Sequence, residues 1–223
     1  MKGIGKLYSE FKHSLARDRK VIAPLQIVSR LEEYLTKRFC SVVLTASEMT
    51  ILPLTSPGQR VDGRKIDMAL LEGDLSRALD KKAAKLHRDE LSIRAFVEVK
   101  YLRNRHRFGF GDATDEIRPT LQNLQDQLGT FDLARYAGYS VSLRGHRRDI
   151  YGLVLASCVR RDHEEDRNTV YIRKVNHCAR QHQLSYYDLN YPQLDPAYEN
   201  QPVTILGGHF RASLYTGLWR LRN

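Results

Sequence analysis

The sequence predicts an α/β protein in which helices pack on a central β-sheet. Apolar residues recur at helical spacing over 22–39 and again between Pro119 and Gly138. Short apolar runs over 64–72, 93–102 and 149–159 are typical of strands that are buried on at least one face. Because helical and strand patterns alternate along the chain, we expect one layered fold that combines both.

The predicted elements fall in an αβββαβ order, with one extra helix inserted between the second and third strands. The β-branched run at 41–46 supplies the first strand of that order. Two prolines and two glycines indicate a loop after it, and a charged segment with spaced leucines indicates an exposed helix. The predicted series is a helix at 22–39, strands at 41–46 and 64–72 separated by a loop at 53–63, a helix at 73–90, a strand at 93–102, a helix between Pro119 and Gly138, and a strand at 149–159.

The last third of the chain has less regular patterns. Residues 169–184 predict either a helix or a strand followed by a helix, and the tyrosine- and proline-rich segment 186–202 predicts a loop. Alternating residues on both sides of Gly207-Gly208 predict a hairpin at an edge of the sheet. We therefore expect a core over 1–160 and a C-terminal extension over 161–223 that packs on the same domain.

Two of the predicted strands carry charged residues inside apolar sequence. Asp67 lies within Ile66-Asp67-Met68, and Glu98 and Lys100 flank Val99. Strand side chains alternate between faces, so Glu98 and Lys100 should lie on one face roughly 7 Å apart. If the two strands are neighbours, two carboxylates and one ammonium group meet, which suits a hard divalent cation and hydrolysis of a phosphate ester.

This pattern resembles the PD-(D/E)XK nuclease superfamily, which has a restriction-endonuclease-like fold. The matching residues are Asp67 and the Glu98-Val99-Lys100 triplet, although Ile66 stands where many members have proline. The resemblance implies the αβββαβ core with a mixed central sheet flanked by helices. It also implies that Asp67, Glu98 and the Val99 carbonyl bind Mg²⁺ or Mn²⁺, and that Lys100 orients water or stabilises developing charge.

Further candidate residues lie near these motifs. Members of the superfamily often use a third carboxylate from the first helix, and Glu32 lies beside that helix's apolar stripe, so it is the best candidate. A solvated Glu32 on the flank of the helix is the alternative. Arg103, Arg105 and Arg107 follow the Glu98 strand directly and are interleaved with aromatic residues, which is suited to contacts with nucleic acid. A basic loop without a specific role is the alternative.

The composition narrows the class of partner. The chain of 223 residues carries a formal net charge of +10, which favours an anionic partner and, most simply, nucleic acid. No apolar run is long enough to span a membrane, and the first ten residues lack the apolar region of a secretory signal. Three widely spaced cysteines are typical of reduced thiols, so a cytoplasmic location is expected.

The sequence thus predicts a metal-dependent nuclease that hydrolyses phosphodiester bonds, with DNA as the expected substrate from the resemblance. The first alternative is a non-catalytic nucleic-acid-binding subunit of a larger complex on the same fold. The second is an interaction domain whose basic surface binds an acidic partner. Many members of the superfamily form dimers, so a homodimer or larger complex is compatible with this reading. A zinc site at His177, Cys178 and His182 is disfavoured because no second Cys/His pair has suitable spacing.

Overall fold

The structure is a computed structural model of the chain, and it combines helices with one large sheet. It describes residues 3–28, 31–46, 51–55, 67–73, 79–80, 85–86, 91–103, 149–181, 184–186 and 193–221. The helices in these ranges are α1 (Ile4–Arg17), α2 (Arg19–Val28), α3 (Leu31–Ala46) and α4 (Asn168–Gln181). The strands are β1 (Ile51–Thr55), β2 (Met68–Gly73), β3 (Leu79–Asp80), β4 (Lys85–Leu86), β5 (Leu91–Arg103), β6 (Asp149–Arg161), β7 (Leu184–Tyr186), β8 (Asp195–Ile205) and β9 (Gly208–Leu221).

The main sheet is mixed, as the sequence predicts. Within the described residues it has seven strands in the order β1-β2-β5-β6-β9-β7, and β8 also pairs with β9. β5 and β6 are parallel, whereas the other neighbouring pairs are antiparallel. Parallel neighbours need a long crossover connection, and the residues between β5 and β6 have the length for one. The α/β class is therefore confirmed.

The two faces of the sheet are covered by different helices. Along β6, Tyr151, Leu153 and Leu155 belong to a core cluster that also contains buried residues of α1, α2 and α3. Val154 and Ala156 point the other way and pack with buried residues of α4. β6 is apolar on both faces because helices cover both, as is typical of a central strand in an α/β sheet.

The helical layer on the first face has three helices before the first strand. The predicted helix at 22–39 is divided between α2 and α3, and α1 was not predicted. The stripe of α1 includes Leu7, Phe11 and Leu15, which are all buried. Phe11 meets Phe39 of α3 edge to face, with ring centroids 5.2 Å apart. This contact ties the first and third helices together.

The prediction of a strand at 41–46 is wrong, because these residues form the last turns of α3. Val42 and Val43 continue the buried stripe begun by Leu35 and Phe39, so burial at helical spacing outweighs their β-branched preference. The hydroxyl of Thr45 donates a hydrogen bond to the Ser41 carbonyl, 3.0 Å away. The first strand of the αβββ series is β1, part of which was predicted as loop.

The segment between β2 and β5 also differs from its prediction. Leu79–Asp80 and Lys85–Leu86 pair as a small antiparallel ladder, so the prediction of a helix at 73–90 is wrong for these residues. Their leucines have helical spacing, but periodicity over so short and charged a segment is weak support for a helix. The predicted helix between Pro119 and Gly138 lies outside the described residues.

The C-terminal residues are integrated into the sheet. α4 resolves the alternatives at 169–184 in favour of a helix, and β8 replaces most of the predicted loop before residue 202. A hairpin with its turn at Leu206-Gly207 is confirmed, but β9 is not at an edge, because it pairs with β6 from Tyr151↔Arg220 to Arg161↔Phe210. The boundary proposed at residue 160 falls inside β6.

A buried hydrogen-bond network attaches α2 to the C-terminal strands. The Gln26 side-chain amide donates to Ser157 Oγ (2.7 Å) and to the Ser213 carbonyl (2.9 Å). The Tyr198 hydroxyl donates to Gln26 Oε1 at 2.5 Å. Gln26 therefore joins one helix to β6, β8 and β9 through a single side chain.

Two expectations about cellular context can be compared with the structure. No helix among the described residues is long and apolar enough to cross a membrane. Cys40, Cys158 and Cys178 are all free, and the last two are buried. The cytoplasmic location stays a prediction.

Candidate active site

The pairing of β2 with β5 brings the two charged motifs together. The strands are antiparallel, and Met68 lies opposite Val97. Asp67 immediately precedes β2, so one further step in this register places it beside Glu98. Residues 31 positions apart in the sequence thus meet at one end of a strand pair.

Two backbone-to-side-chain hydrogen bonds fix this junction. The Val99 backbone N–H donates to Asp67 Oδ2 at 2.8 Å. The Asp67 N–H donates in turn to Glu98 Oε2 at 3.3 Å. Within an extended strand the N–H and C=O of one residue point toward the same neighbour, so the Val99 carbonyl also points toward the Asp67 side. Both carboxylates and that carbonyl therefore converge where β2 begins.

Lys100 completes the group as an ion pair with Glu98. Its Nζ lies 2.8 Å from Glu98 Oε1, with 20% of the Lys100 side chain and 2% of the Glu98 side chain exposed. The two residues share a face of β5 because they are two positions apart. The carboxylate is thus taken out of water, while the ammonium group retains a path to solvent.

The electrostatics of Glu98 show an excess of negative charge at this point. Burial, followed by repulsion from Asp67, raises the pKa of Glu98 from its ordinary 4.5 to about 6. The ammonium of Lys100 and hydrogen bonds from Lys100 and the Asp67 backbone lower the pKa but do not offset the rise. A further cation at this place would therefore stabilise the ionised pair.

Glu32 lies within electrostatic range of the same group. It is in the first turn of α3, beside buried Leu31. Although the Glu32 side chain is exposed, surrounding protein and then the charge of Asp67 raise its pKa, whereas Lys100 and Arg103 lower it. The structure thus brings the sequence-predicted third carboxylate close to Asp67 and Lys100, and Glu33 instead pairs with Lys37 at 2.6 Å.

The donor set fits magnesium or manganese better than a structural zinc ion. Among the described residues, no three His, Cys, Asp or Glu side chains are grouped closely enough to hold a metal by themselves. Mg²⁺ needs only one or two carboxylates, because water and substrate phosphate supply the other ligands. Asp67, Glu98 and the Val99 carbonyl meet that requirement. In α4, Cys178 is buried whereas His177 is exposed and contacts Gln181, so those two residues do not form a shared site.

Arg103 is the described member of the predicted nucleic-acid contacts. Its guanidinium carbon lies 5.4 Å from the centroid of the Tyr101 ring, which shares its face of β5. Sequence reasoning did not single out Tyr101, although an aromatic residue two positions before an arginine in a strand is the signal for such stacking. Arg105 and Arg107 lie outside the described residues.

No protein-family model, curated protein or solved structure matches this chain. The interpretation of the site therefore depends on the residues and distances given above.

Proposed function

We propose that the protein is a metal-dependent nuclease of the PD-(D/E)XK type that hydrolyses phosphodiester bonds in nucleic acid, with DNA as the expected substrate. The observation that carries the proposal is the convergence of Asp67 and the buried, lysine-paired Glu98 where β2 meets β5. A buried carboxylate with an adjacent carboxylate is costly for folding, so its presence favours a functional role.

The proposed chemistry assigns a separate task to each group. A divalent cation, when bound, would neutralise charge on the phosphate and lower the pKa of the attacking water. Asp67, Glu98 and the Val99 carbonyl would hold that cation. Lys100 would orient the water or stabilise charge on the phosphate, and Arg103 would contact a neighbouring phosphate. Water oxygen bonds to phosphorus as the bond to the 3′ oxygen breaks, which leaves a 5′-phosphate and a 3′-hydroxyl.

The topology supports the same family. α3, β1, β2 and β5 follow one another, and β6 then lies parallel to β5, which agrees with an αβββαβ core if the predicted helix forms the crossover. The net charge of +10 supports an anionic polymer as substrate. Binding to nucleic acid should therefore weaken steeply as salt rises, since bound phosphates release counterions.

The test is cleavage of supercoiled DNA, linear duplex, single-stranded DNA and RNA with Mg²⁺ or Mn²⁺. Glu98→Gln and Lys100→Ala should each lower the cleavage rate at least about a hundredfold, as is usual when a group acting on the reacting atoms is removed. Glu32→Gln should lower it less. Glu33→Gln is the matched control, because it removes the neighbouring carboxylate that pairs with Lys37, and it should leave the rate unchanged.

The outcomes separate the proposed function from its alternatives. Cutting that needs metal, is abolished by EDTA and is lost in Glu98→Gln supports the nuclease. Salt-sensitive binding without cutting of any substrate contradicts it and favours a non-catalytic binding subunit. Neither binding nor cutting would favour an interaction domain with an acidic protein partner.

A further inference from the structure

A groove of about 850 Å³ lies at the end of the sheet remote from the candidate active site. It is bounded by the end of α2, the end of β6 and the turn between β8 and β9. Gly152, which pairs with Glu98, and Arg161 in the groove lie roughly 30 Å apart along β6, at about 3.3 Å per residue. The groove is therefore a separate surface.

The charge of the groove favours an anion. Arg161, His163 and His209 all line it and are exposed. Asp162 is its single acidic lining residue, and Arg211 donates a hydrogen bond to that carboxylate at 2.5 Å. This pairing and the neighbouring Arg160 and His209 lower the pKa of Asp162, so its charge is held by the arginine. The remaining basic groups are available to a negatively charged ligand.

The other lining residues favour a ligand with a flat apolar part. Val28, which is 51% exposed, and Ile205 supply aliphatic surface. The Phe210 ring lies directly over Gly208, where a Cβ atom would approach ring carbons to 2.7 Å. Gly208 thus permits the ring to cover the backbone at the start of β9, and any larger residue would displace it.

Leu206 at the tip of the hairpin is in an unfavourable conformation for its residue type. Its φ of 48° is in the left-handed region, and its side chain is fully exposed. For a leucine this conformation costs about 1 to 2 kcal/mol, whereas asparagine, aspartate or glycine would adopt it more readily. An exposed apolar side chain kept in such a conformation is consistent with a role in binding.

We propose that this groove binds a segment of single-stranded nucleic acid, with Arg161 and the histidines near the phosphates and Phe210 and Leu206 against the bases. Cationic groups beside an aromatic platform are the usual means of binding single strands without sequence preference. Charge complementarity, together with the net charge of +10, favours this occupant over a second copy of the same basic chain.

The test is fluorescence anisotropy of a labelled single-stranded oligonucleotide in EDTA, where metal-dependent cleavage cannot occur. Arg161→Ala and Leu206→Asp should each weaken binding at least about fivefold, since a stacked base or a phosphate contact is lost. Aspartate suits the φ of residue 206, so this change should not impair folding. Arg173→Ala and Val170→Asp are the matched controls, because both residues are exposed on α4, and neither change should alter binding.

Two results would overturn the inference. Equal weakening in the controls would mean that the general positive charge, and not the groove, binds the strand. Unchanged binding in Arg161→Ala and Leu206→Asp would exclude the groove, and a loss of dimer mass in Leu206→Asp by light scattering would identify it as a contact between copies. Because binding is measured without metal, it remains informative even if the chain never cleaves nucleic acid.

Discussion

At the scale of single residues, Glu98 concentrates the conflict between stability and the proposed function. It is almost fully buried, lies beside a second carboxylate and has one ammonium group as its ion-pair partner. Folding around an ionised Glu98 is therefore less favourable than folding around a protonated one. The same feature that makes the residue costly makes it a good ligand for a cation.

This conflict predicts a pH dependence of stability. Below pH 4.5, Glu98 is protonated in both states; as the pH rises to about 6, the unfolded chain releases its proton first, so the folded state loses stability. The full loss is about 2 kcal/mol above pH 6. Glu98→Gln should lack it, so the difference in unfolding free energy between pH 4 and pH 7.5 should be about 2 kcal/mol smaller in the variant.

Urea unfolding at the two pH values measures this difference, with Glu33→Gln as the control that should follow the original chain. Identical pH profiles for Glu98→Gln and the original chain would contradict the prediction. At pH 7.5, added Mg²⁺ should raise the unfolding midpoint of the original chain and not of Glu98→Gln, since a ligand that binds only the folded state stabilises it.

At the scale of elements, helix α2 is held to the sheet by hydrogen bonding as well as by apolar packing. Ile22 and Ala23 are buried in the first core cluster. Gln26 is 6% exposed and bonds to groups on three strands. One polar residue in an apolar interface can set the position of a helix, because any shift leaves several buried groups without partners.

We therefore predict that Gln26→Leu lowers the free energy of unfolding by about 2 to 4 kcal/mol, although leucine is apolar and of similar size. The change leaves the Tyr198 hydroxyl and the Ser213 carbonyl without their bonds to residue 26. Chemical denaturation measures the effect. Gln181→Leu, on the exposed end of α4, is the control and should change stability by less than about 0.5 kcal/mol. Equal effects of both changes would show that the network contributes nothing.

At the scale of the whole molecule, the C-terminal residues form part of the same sheet. β9 pairs with β6 along most of the length of both strands, and it buries Leu214, Leu218 and Trp219 on the two faces. The Trp219 indole N–H donates to the Gln193 carbonyl at 3.1 Å, so the segment before β8 is attached as well. Residues 161–223 thus contribute to both core clusters.

A chain ended at residue 160 should therefore fail to fold cooperatively. Its β6 would lose the neighbour that covers one edge, and apolar residues of both clusters would be exposed. Circular dichroism during urea unfolding should show a sigmoidal transition for the full chain and a gradual change for the shortened one. Binding of a fluorescent apolar dye to the shortened chain would support the same conclusion. A sharp transition in the shortened chain would show that 1–160 is an independent domain.

The sequence by itself determined the α/β class, the strands around Glu98 and after residue 149, and the grouping of Asp67 with Glu98 and Lys100. These features depend on local apolar runs and on side-chain alternation, which a sequence displays directly. Only the tertiary structure decided that 41–46 is helical, because Val42 and Val43 are buried against neighbours distant in sequence. It also decided that β9 is internal, that Gln26 joins three strands, and that Arg161 and Leu206 border one groove. Each of these depends on contacts between distant segments, whose pairing leaves no local periodicity to read.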